Sequence, residues 1–529
     1  MNVRIAILFF LFCSLNLGWT QDIIPFPNQY EPYKGALKVP KIVTITASGE
    51  FATLIPGFIQ SAEKFSVSVK EKKNKGWIQL INNPTLVNSE EYLLTINSKT
   101  ITIEAGSANG CFYGLQSALQ LISNAGVGGS IPCAFIHDWP RYEWRGLMLD
   151  ESRHFMGMQQ VKSLLDFMAL QKLNKFHWHL TDSQGWRIEI KQYPLLTSIG
   201  ARGDLTNPDG PVQYYTQAEI AEIVAYAQQR FIEIIPEIDM PGHATSATRS
   251  YPEFSGGGSK RYPNYTFNPG KEGTYAFITN ILKEVTTLFP SRYIHIGGDE
   301  VHFGNEQWDS IPEIQQLMQS HSFSSLPEVE HYFLNRMSDS IKSLNKTLIG
   351  WDEVVTANLP PSNTLVMWWR QEKPGQLEEA ISKGYRVILC PRIPLYFDFI
   401  QDEKHKVGRK WSNGAFAPIE SVYNFPGTDF TSGVSISTPL VKGIQGNVWT
   451  ELIHSPERLQ FMVYPRLSAL SEAAWTEYKT KNFGNFSTRM IRMMTIFKKS
   501  GLTFFDYRSP DSSPEVAGPP NKFSKTQVK

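Results

Sequence analysis

The chain has 529 residues and a formal net charge of +1 at pH 7, so no strong overall field points to nucleic acid or anionic membranes as partners. Its length predicts a large core and more than one domain. Aromatic residues make up 12% of the chain and include 13 Trp, which fits either that core or a set of surfaces that stack on sugars.

The N-terminus has the pattern of an export signal. A basic residue precedes the apolar stretch Ile5 to Phe12, and small residues before Gln21 permit cleavage there. The apolar stretch is too short to span a bilayer, and the bulky Phe12 disfavours lipoprotein processing at Cys13. We predict a signal peptide over residues 1–20, a secreted or periplasmic protein, and no membrane span.

Three cysteines remain after this cleavage, namely Cys111, Cys133 and Cys390. Three cysteines cannot form a disulfide framework. Either Cys111 and Cys133 pair, or all three are buried thiols, and the sequence leaves both possibilities open.

Residues 21–138 predict a small α+β domain. KIVTITAS and WIQLINN are strand-like, EYLLTINSKTITIEA predicts a hairpin that turns at Asn97-Ser98-Lys99, and CFYGLQSALQLIS has apolar residues at helical spacing. No cluster of catalytic residue types lies here, so we interpret this domain as a structural brace for the part that follows.

Residues 139–507 alternate between strand-like and helix-like stretches. Eight candidate strands lie at 145–150, 175–182, 231–239, 293–300, 347–353, 364–370, 385–391 and 443–451. Eight such units predict an α/β fold, the (β/α)8 TIM barrel. An open doubly wound sheet is the alternative, but no Gly-rich phosphate-binding motif supports it. The Ser-, Pro- and Lys-rich residues 508–529 predict a disordered tail.

Polar and aromatic residues stand at the carboxyl ends of nearly all these strands, where the loops of a barrel form one concave face. They are Asp150, Asp182, Asp239, Asp299, Glu300, Trp351, Trp369 and Trp449 with Glu451, and Tyr396 and Asp398 follow the seventh strand. A core needs no unpaired carboxylates, because burying one is costly. Their shared position predicts an acidic, Trp-walled sugar pocket, and glycoside cleavage needs such carboxylates as a general acid and as stabilisers of an oxocarbenium-like transition state.

The adjacent carboxylates Asp299 and Glu300 follow Gly297 and Gly298. A solvated turn is the alternative explanation for this pair. The two glycines weaken it, since glycine lets backbone or ligand approach closely. We therefore interpret Asp299 and Glu300 as the centre of the predicted pocket.

Three histidines need separate interpretation. His177 and His179 of HWH lie on one face of a strand at a spacing that can bind a metal, but they stand inside the strand rather than at its end. We therefore treat a metal site as the lesser possibility. His243 follows the third strand, where it either satisfies the structure or tunes the pKa of a carboxylate.

Seven motifs occur in the order found in glycoside hydrolase family 20, the β-N-acetylhexosaminidases. They are RGLMLDESRHF, HWHLTDSQGWRIEI, PEIDMPGHA, HIGGDE, LIGWDE, LYFD and GNVWTE. The chain resembles this family from about Pro140 to Trp475, and the small domain is similar to the one that usually precedes the family's barrel. The resemblance implies substrate-assisted catalysis, in which the substrate's acetamido oxygen attacks the anomeric carbon and configuration is retained. It implies no metal or organic cofactor.

The resemblance also implies roles for single residues. Asp299 would orient and stabilise the acetamido group, while Glu300 would protonate the leaving oxygen and then deprotonate water. Tyr396 would donate a hydrogen bond to the acetamido carbonyl, and Trp351, Trp369 and Trp449 would form the pocket walls. Arg145 would bind the 3- and 4-hydroxyls of the sugar, while Asp398 and Glu451 would contact its 4- and 6-hydroxyl side. Asp182 and His243 would form a hydrogen-bonded chain to Glu300.

The sequence therefore predicts a retaining exo-β-N-acetylhexosaminidase that removes a terminal β-linked N-acetylhexosamine from oligosaccharides or glycoconjugates. A family member that releases a disaccharide and a metal-dependent amidohydrolase built on HWH are the alternatives. A non-catalytic sugar-binding protein would lack the acid Glu300, which is present. The 4-hydroxyl contacts fit N-acetylglucosamine and N-acetylgalactosamine alike.

Overall fold

The computed structural model describes residues 22–427, 438–519 and 527–528. Its two large β-sheets belong to different parts of the chain. One is a seven-stranded sheet in the N-terminal part, and the other is a closed barrel of eight parallel strands. This architecture confirms the predicted barrel with a preceding α+β domain. The predicted signal peptide lies outside the described residues.

The small domain is a mixed sheet covered by helices. Its elements are β1 Gln29–Lys38, β2 Val43–Ala47, α1 Ile55–Lys64, β3 Val69–Glu71, β4 Ile78–Asn82, β5 Tyr92–Ile96, β6 Ile101–Ala105, α2 Ala108–Ala125 and β7 Ser130–Asp138. Alternate residues of β5 and β6 are buried, and the two strands form the predicted antiparallel hairpin. The helix α2 begins at the N-cap Ser107 and is buried along most of its length. Cys111 and Cys133 are buried free thiols, as is Cys390.

The barrel strands are buried on both sides, as parallel strands covered by helices should be. They are β8 Trp144–Asp150, β9 Lys175–His179, β10 Glu233–Met240, β11 Tyr293–Gly297, β12 Thr347–Trp351, β13 Thr364–Trp368, β14 Arg386–Leu389 and β16 Val441–Val448. Pairing of β16 with β8 closes the ring. Two further short strands, β15 Arg409–Lys410 and β17 Gln527–Val528, pair in parallel with each other.

Helices surround the barrel, and most of them bury one side. They are α3 Met158–Leu170, α4 Leu195–Ser198, α5 Gln217–Gln228, α6 Thr245–Ser250, α7 Glu272–Leu288, α8 Pro312–His321, α9 Leu326–Ser343, α10 Pro374–Ser382, α11 Arg392–Leu395, α12 Ile419–Asn424, α13 Pro456–Val463, α14 Arg466–Trp475 and α15 Phe483–Lys499. A capping box of Thr216 and Glu219 begins α5. Within the described part of the chain, none of the helices has the length and apolar character that crossing a bilayer requires.

Buried ion pairs join the small domain to the amino ends of the barrel strands. Arg145, the second residue of β8, is fully buried, and its Nη2 lies 2.7 Å from Oε1 of Glu90. Nζ of the buried Lys172 lies 2.8 Å from Oδ2 of Asp138, the last residue of β7. A buried charge needs a partner of opposite sign, so these pairs hold the two domains in register.

Residues 508–519 pack against the barrel, which corrects the predicted disorder for this part of the tail. Glu515 accepts hydrogen bonds from the backbone of Lys406 and Val407, at 2.7 and 3.0 Å. The buried Arg458 donates to the carbonyl of Val516 at 2.8 Å, and its Nη1 lies 3.1 Å from Glu515. The segment is ordered because it supplies acceptors to a buried guanidinium. Residues 520–526 and 529 lie outside the described residues.

Candidate active site

A pocket of about 430 Å³ opens at the carboxyl ends of the barrel strands. Its lining residues are Arg153, His179, Asp182, Asp239, His243, Asp299, Glu300, Trp351, Trp369, Tyr396, Trp449 and Glu451. Every one of the eight strands contributes at least one of them through its end or the loop that follows. The size and position are those of a small-ligand site in a barrel of this kind.

The two adjacent carboxylates leave β11 on an unusual backbone. Gly297 and Gly298 both have positive φ, and Glu300 adopts the left-handed conformation with φ 52°. A Cβ on Gly297 would collide with Oδ1 of Asp239, and one on Gly298 would lie 2.8 Å from a methyl of Val354. The glycines are therefore required for the turn, and the left-handed Glu300 costs about 1–3 kcal/mol that the surrounding packing must offset.

This turn places Asp299 deeper in the pocket than Glu300. The side chains are 13% and 30% exposed, respectively. Burial raises the pKa of Asp299 to about 6, while the positive charge of His243 opposes that rise. The pair thus combines one enclosed carboxyl with one that faces the opening.

His243 connects this pair to a third carboxylate. Its Nδ1 lies 3.0 Å from Oδ1 of Asp182, and its Nε2 lies 3.8 Å from Asp299 and 3.7 Å from Glu300. Burial disfavours the charged imidazole, but Asp182 and Asp299 outweigh it and hold the pKa of His243 well above its usual value. His243 therefore places a positive charge behind the two carboxylates.

Arg153, in the loop after β8, supplies the guanidinium of the pocket. Its Nη2 lies 2.7 Å from Oδ2 of Asp182, and its Cζ lies 5.0 Å from the ring centre of Trp449. Burial alone would raise the pKa of Asp182, yet the charge of Arg153 holds that pKa well below its usual range. The arginine is thus fixed in one orientation against the pocket wall.

The aromatic walls come from four strand ends. Trp369 and Tyr396 are nearly parallel, with an interplanar angle of 9° and ring centres 6.4 Å apart. Trp351 lies between Trp369 and Trp449, at 6.5 and 5.9 Å. The indole of Trp369 donates to Glu353 at 3.0 Å, which fixes its plane. These rings form an apolar enclosure beside the carboxylates.

Beneath the walls, the fully buried Glu237 is surrounded by histidines. Its oxygens lie 2.9 Å from Nε2 of His177, 2.5 Å from Nδ1 of His179 and 2.7 Å from Nδ1 of His295, and the indole of Trp351 donates to it at 3.0 Å. Atoms of His177, Glu237 and His295 are close enough together to hold a metal ion.

The surroundings of His177 favour a hydrogen-bonded role over metal binding. Gln445 donates to its Nδ1 at 3.1 Å, so the other nitrogen carries the proton that faces Glu237. Burial lowers the pKa of His177 to about 4, which keeps the ring neutral. The HWH pair therefore orients a buried carboxylate, and through it Trp351.

Behind the pocket residue Glu451 lies an arginine, Arg409, that the sequence analysis missed. Nε of Arg409 lies 2.8 Å from Oδ2 of Asp398, and its Nη2 lies 2.6 Å from Oε1 of Glu451. Glu451 lines the pocket, whereas Asp398 is 1% exposed and lies behind it. Arg409 had no strand-end signal, because it follows β14 by a long loop.

Two protein-family models match this chain, one for each of its domains. The model for "Glycosyl hydrolase family 20, catalytic domain" matches residues 142–478, and "Glycosyl hydrolase family 20, domain 2" matches residues 20–139. The chain belongs to glycosyl hydrolase family 20. Its two domains are therefore the two that the family models describe.

Individual members of the family show the same similarity. A β-hexosaminidase of Porphyromonas gingivalis is 34% identical over 91% of this chain, and one of Vibrio furnissii is 37% identical over 74% of it. The chain spans 64% and 66% of the lengths of these two curated relatives. The exo-β-N-acetylglucosaminidase of Vibrio harveyi, solved with N-acetylglucosamine, is 32% identical over 92% of this chain and 78% of its own, with a TM-score of 0.84.

The structure contradicts one predicted role in a family 20 motif. Arg145 of RGLMLDESRHF was expected to grip the sugar, but it lies at the amino end of β8 and is bound by Glu90 and by the carbonyls of Tyr142 and Lys172. The second arginine of the same motif, Arg153, lines the pocket instead. The strand-end rule that selected the carboxylates would have selected Arg153 as well.

The other predicted residues are placed as follows. Asp182, His243, Asp299, Glu300, Trp351, Trp369, Tyr396, Trp449 and Glu451 come together in the pocket. Asp398 reaches it through Arg409, and Asp150 is fully buried, where it accepts hydrogen bonds from the backbone of Ser152 and Thr450. His179, Asp239 and Arg153 also line the pocket without a predicted role.

Proposed function

We propose that this protein is a secreted or periplasmic retaining exo-β-N-acetylhexosaminidase that acts on oligosaccharides or glycoconjugates by substrate-assisted catalysis. The observation that carries the proposal is the adjacent pair Asp299 and Glu300 beside an aromatic enclosure. Membership of family 20 and the names of its relatives support the same activity.

The geometry supports a reaction in which the substrate supplies the nucleophile. Asp299 accepts a hydrogen bond from the acetamido N–H, and Tyr396 donates one to its carbonyl oxygen. That oxygen attacks the anomeric carbon as the glycosidic C–O bond breaks, and Glu300 gives its proton to the leaving oxygen. Water then attacks the anomeric carbon of the oxazoline-type intermediate, Glu300 takes the water's proton, and the acetamido group is restored.

Charges around the pair suit these two roles. Asp299 stabilises the positive charge that develops on the acetamido group, which requires its ionised form. The charge of His243, held by Asp182, favours that form. Besides burial, the charge of the neighbouring Glu300 raises the pKa of Asp299, so the two carboxyls disfavour ionisation of both at once.

Substrate binding is assigned to the groups at the other side of the pocket. Arg153 takes the role of gripping the ring's 3- and 4-hydroxyls, because it is the pocket's guanidinium and Asp182 fixes its orientation. Glu451 binds at the 4- and 6-hydroxyl side. Arg409 and Asp398 fill the space behind Glu451, which favours release of one terminal sugar over release of a disaccharide.

Export rests on the N-terminal pattern of residues 1–20. Expression of the full chain in a bacterial host, followed by cell fractionation and N-terminal sequencing, tests it. We expect the enzyme outside the cytoplasm with Gln21 as its first residue. Recovery of the uncleaved chain in the cytoplasm would contradict the proposal.

Comparison of an aryl β-N-acetylglucosaminide with the matching aryl β-glucoside tests the reaction, because the two substrates differ only at C2. We expect cleavage of the acetamido sugar alone, since the glucoside has no internal nucleophile. Comparable cleavage of both would require a nucleophile from the protein. Cleavage of an aryl chitobioside to the disaccharide, with none of the monosaccharide substrate, would replace exo-action by disaccharide release.

A further inference from the structure

Arg409 connects three separate segments at the far end of the pocket. Its side chain contacts Asp398 from the loop after β14 and Glu451 from the loop after β16. Its backbone N–H donates to the carbonyl of Asp398 at 2.9 Å, and its own carbonyl accepts from Ile400 at 3.0 Å. The guanidinium is only 12% exposed. Both the backbone and the side chain of Arg409 are therefore fixed.

The charges at this end alternate in sign. Burial works against the charge of both arginines, but Asp182, Asp150 and then Glu451 raise the pKa of Arg153, and Glu451 and Asp398 raise that of Arg409. Arg409 also neutralises Asp398, which is almost fully buried. Without Arg409, two carboxylates would share an enclosed site and repel each other.

A single contact with Arg409 also restricts the conformation of Glu451. Its Oε1 lies 2.6 Å from Nη2 of Arg409, a charge-assisted hydrogen bond that selects one carboxylate orientation. A lysine at 409 would keep the charge, but its single ammonium could not reproduce both the hydrogen bond to Glu451 and the ion pair with Asp398 that the planar guanidinium makes. The orientation of Glu451 thus depends on the planar geometry of the Arg409 guanidinium as well as on its charge.

We propose that Arg409 is a positioning residue that sets recognition of the sugar's 4- and 6-hydroxyl end by fixing Glu451 and Asp398. This inference rests on the proposed function, since that function assigns Glu451 to those hydroxyls and places Asp398 behind it. It assigns Arg409 an effect on substrate binding and none on the proton transfers at Glu300.

The test uses the full-length enzyme, the Arg409→Gln and Arg409→Lys variants, and two substrates. These are an aryl β-N-acetylglucosaminide and its 6-deoxy analogue, which lacks the hydroxyl assigned to Glu451. Lys404→Gln is the matched control, because Lys404 lies in the same loop and pairs with Asp511 on the surface. The measured quantities are kcat, KM, the pH profile and Tm.

We expect Arg409→Gln to lower kcat/KM on the full substrate by about 10- to 100-fold, mainly through KM, because Glu451 and Asp398 lose their partner. The fold-loss in kcat/KM on the 6-deoxy analogue should be at least about 3-fold smaller. This difference is expected because Arg409 acts through the contact between Glu451 and the 6-hydroxyl, which the analogue lacks. Arg409→Lys should show the same dependence on the 6-hydroxyl in a smaller measure. The pH profile of kcat should be unchanged, and Lys404→Gln should match the wild type.

Equal fractional losses on the two substrates, together with a lower Tm, would overturn the inference and leave Arg409 as a structural ion pair. If Arg409→Gln does not fold, the test uses Arg409→Lys and compares its losses in kcat/KM on the two substrates in the same way. Failure of the proposed function is separate, because it would appear in the wild type as equal cleavage of glucoside and acetamido sugar.

Discussion

Nη2 of Arg145 lies 2.7 Å from Oε1 of Glu90 across the boundary between the small domain and the barrel. Arg145 is fully buried, and the side chain of Glu90 is 15% exposed. Because an uncompensated buried charge is costly, this pair makes folding of the barrel dependent on contact with the small domain.

Glu90→Gln should therefore destabilise the protein without changing its kinetics. Removal of one partner leaves the guanidinium of Arg145 unpaired, and we expect a loss of about 3 kcal/mol in the free energy of unfolding. Thermal unfolding measures this loss, and KM is measured well below the transition. Glu63→Gln, at an exposed position of α1, is the control. A normal Tm for Glu90→Gln would show that the pair does not stabilise the interface.

Lysine variants of the two arginines in RGLMLDESRHF should have opposite effects. Arg153→Lys should lower kcat/KM by about 10- to 100-fold with little change in Tm, because lysine keeps the charge near Asp182 but loses the fork. Arg145→Lys should lower Tm and leave kcat/KM of the folded enzyme near the wild-type value. The reverse pattern would return the sugar contact to Arg145.

The two arginines show where the sequence was sufficient and where it was not. The order of the eight strands was predicted because each is a short apolar run between turn signals, and burial on both sides demands such runs. The predicted strand 145–150 already begins at Arg145, so the strand-end rule argues against a sugar contact there, and only the family motif implied one. Since β8 begins at Trp144, Arg145 stands at its amino end, eight residues before Arg153.

Strand ends and long loops account for the remaining differences. The predicted second and fourth strands ran to 182 and 300, but β9 and β11 end at His179 and Gly297, because polar residues and glycine turn the chain into the pocket. Arg409 begins the two-residue strand β15 within the long segment between β14 and β16, whose path depends on tertiary contacts, so no local pattern marked it. The order of residues 508–519 was not predicted for the same reason, since the acceptors in this segment bind Arg458, which is distant in sequence.

The pH dependence of activity should report the ionisation of Asp299. Its pKa is raised to about 6 by burial, and the charge of His243 opposes the rise. In the proposed mechanism the ionised form is the active one, so kcat/KM should fall as the pH decreases through about 6. His243→Gln removes the opposing charge, so this acidic limb should move to higher pH. The measurement is kcat/KM on the aryl β-N-acetylglucosaminide across the pH range, for wild type and variant.

His302→Gln is the control for this profile, because His302 is an exposed histidine in the loop after β11. It should leave the acidic limb in place. An acidic limb that stays at the same pH in His243→Gln would mean that Asp299 is not the titrating group, or that His243 is uncharged in the active enzyme.

Prolonged dialysis against a chelator should leave activity and Tm unchanged. Gln445 donates to Nδ1 of His177, and Nε2 lies 2.9 Å from Glu237, so each ring nitrogen has a protein partner of suitable charge or polarity without an ion. An amidohydrolase built on HWH would lose activity and regain it with zinc. Loss that zinc reverses would therefore favour that alternative and assign a ligand role to Glu237. Gln445→Leu supplies a second measurement, since it removes the donor to His177. If the histidine is held by hydrogen bonds, this variant should lower Tm by the equivalent of about 1–3 kcal/mol, and added zinc should not restore it.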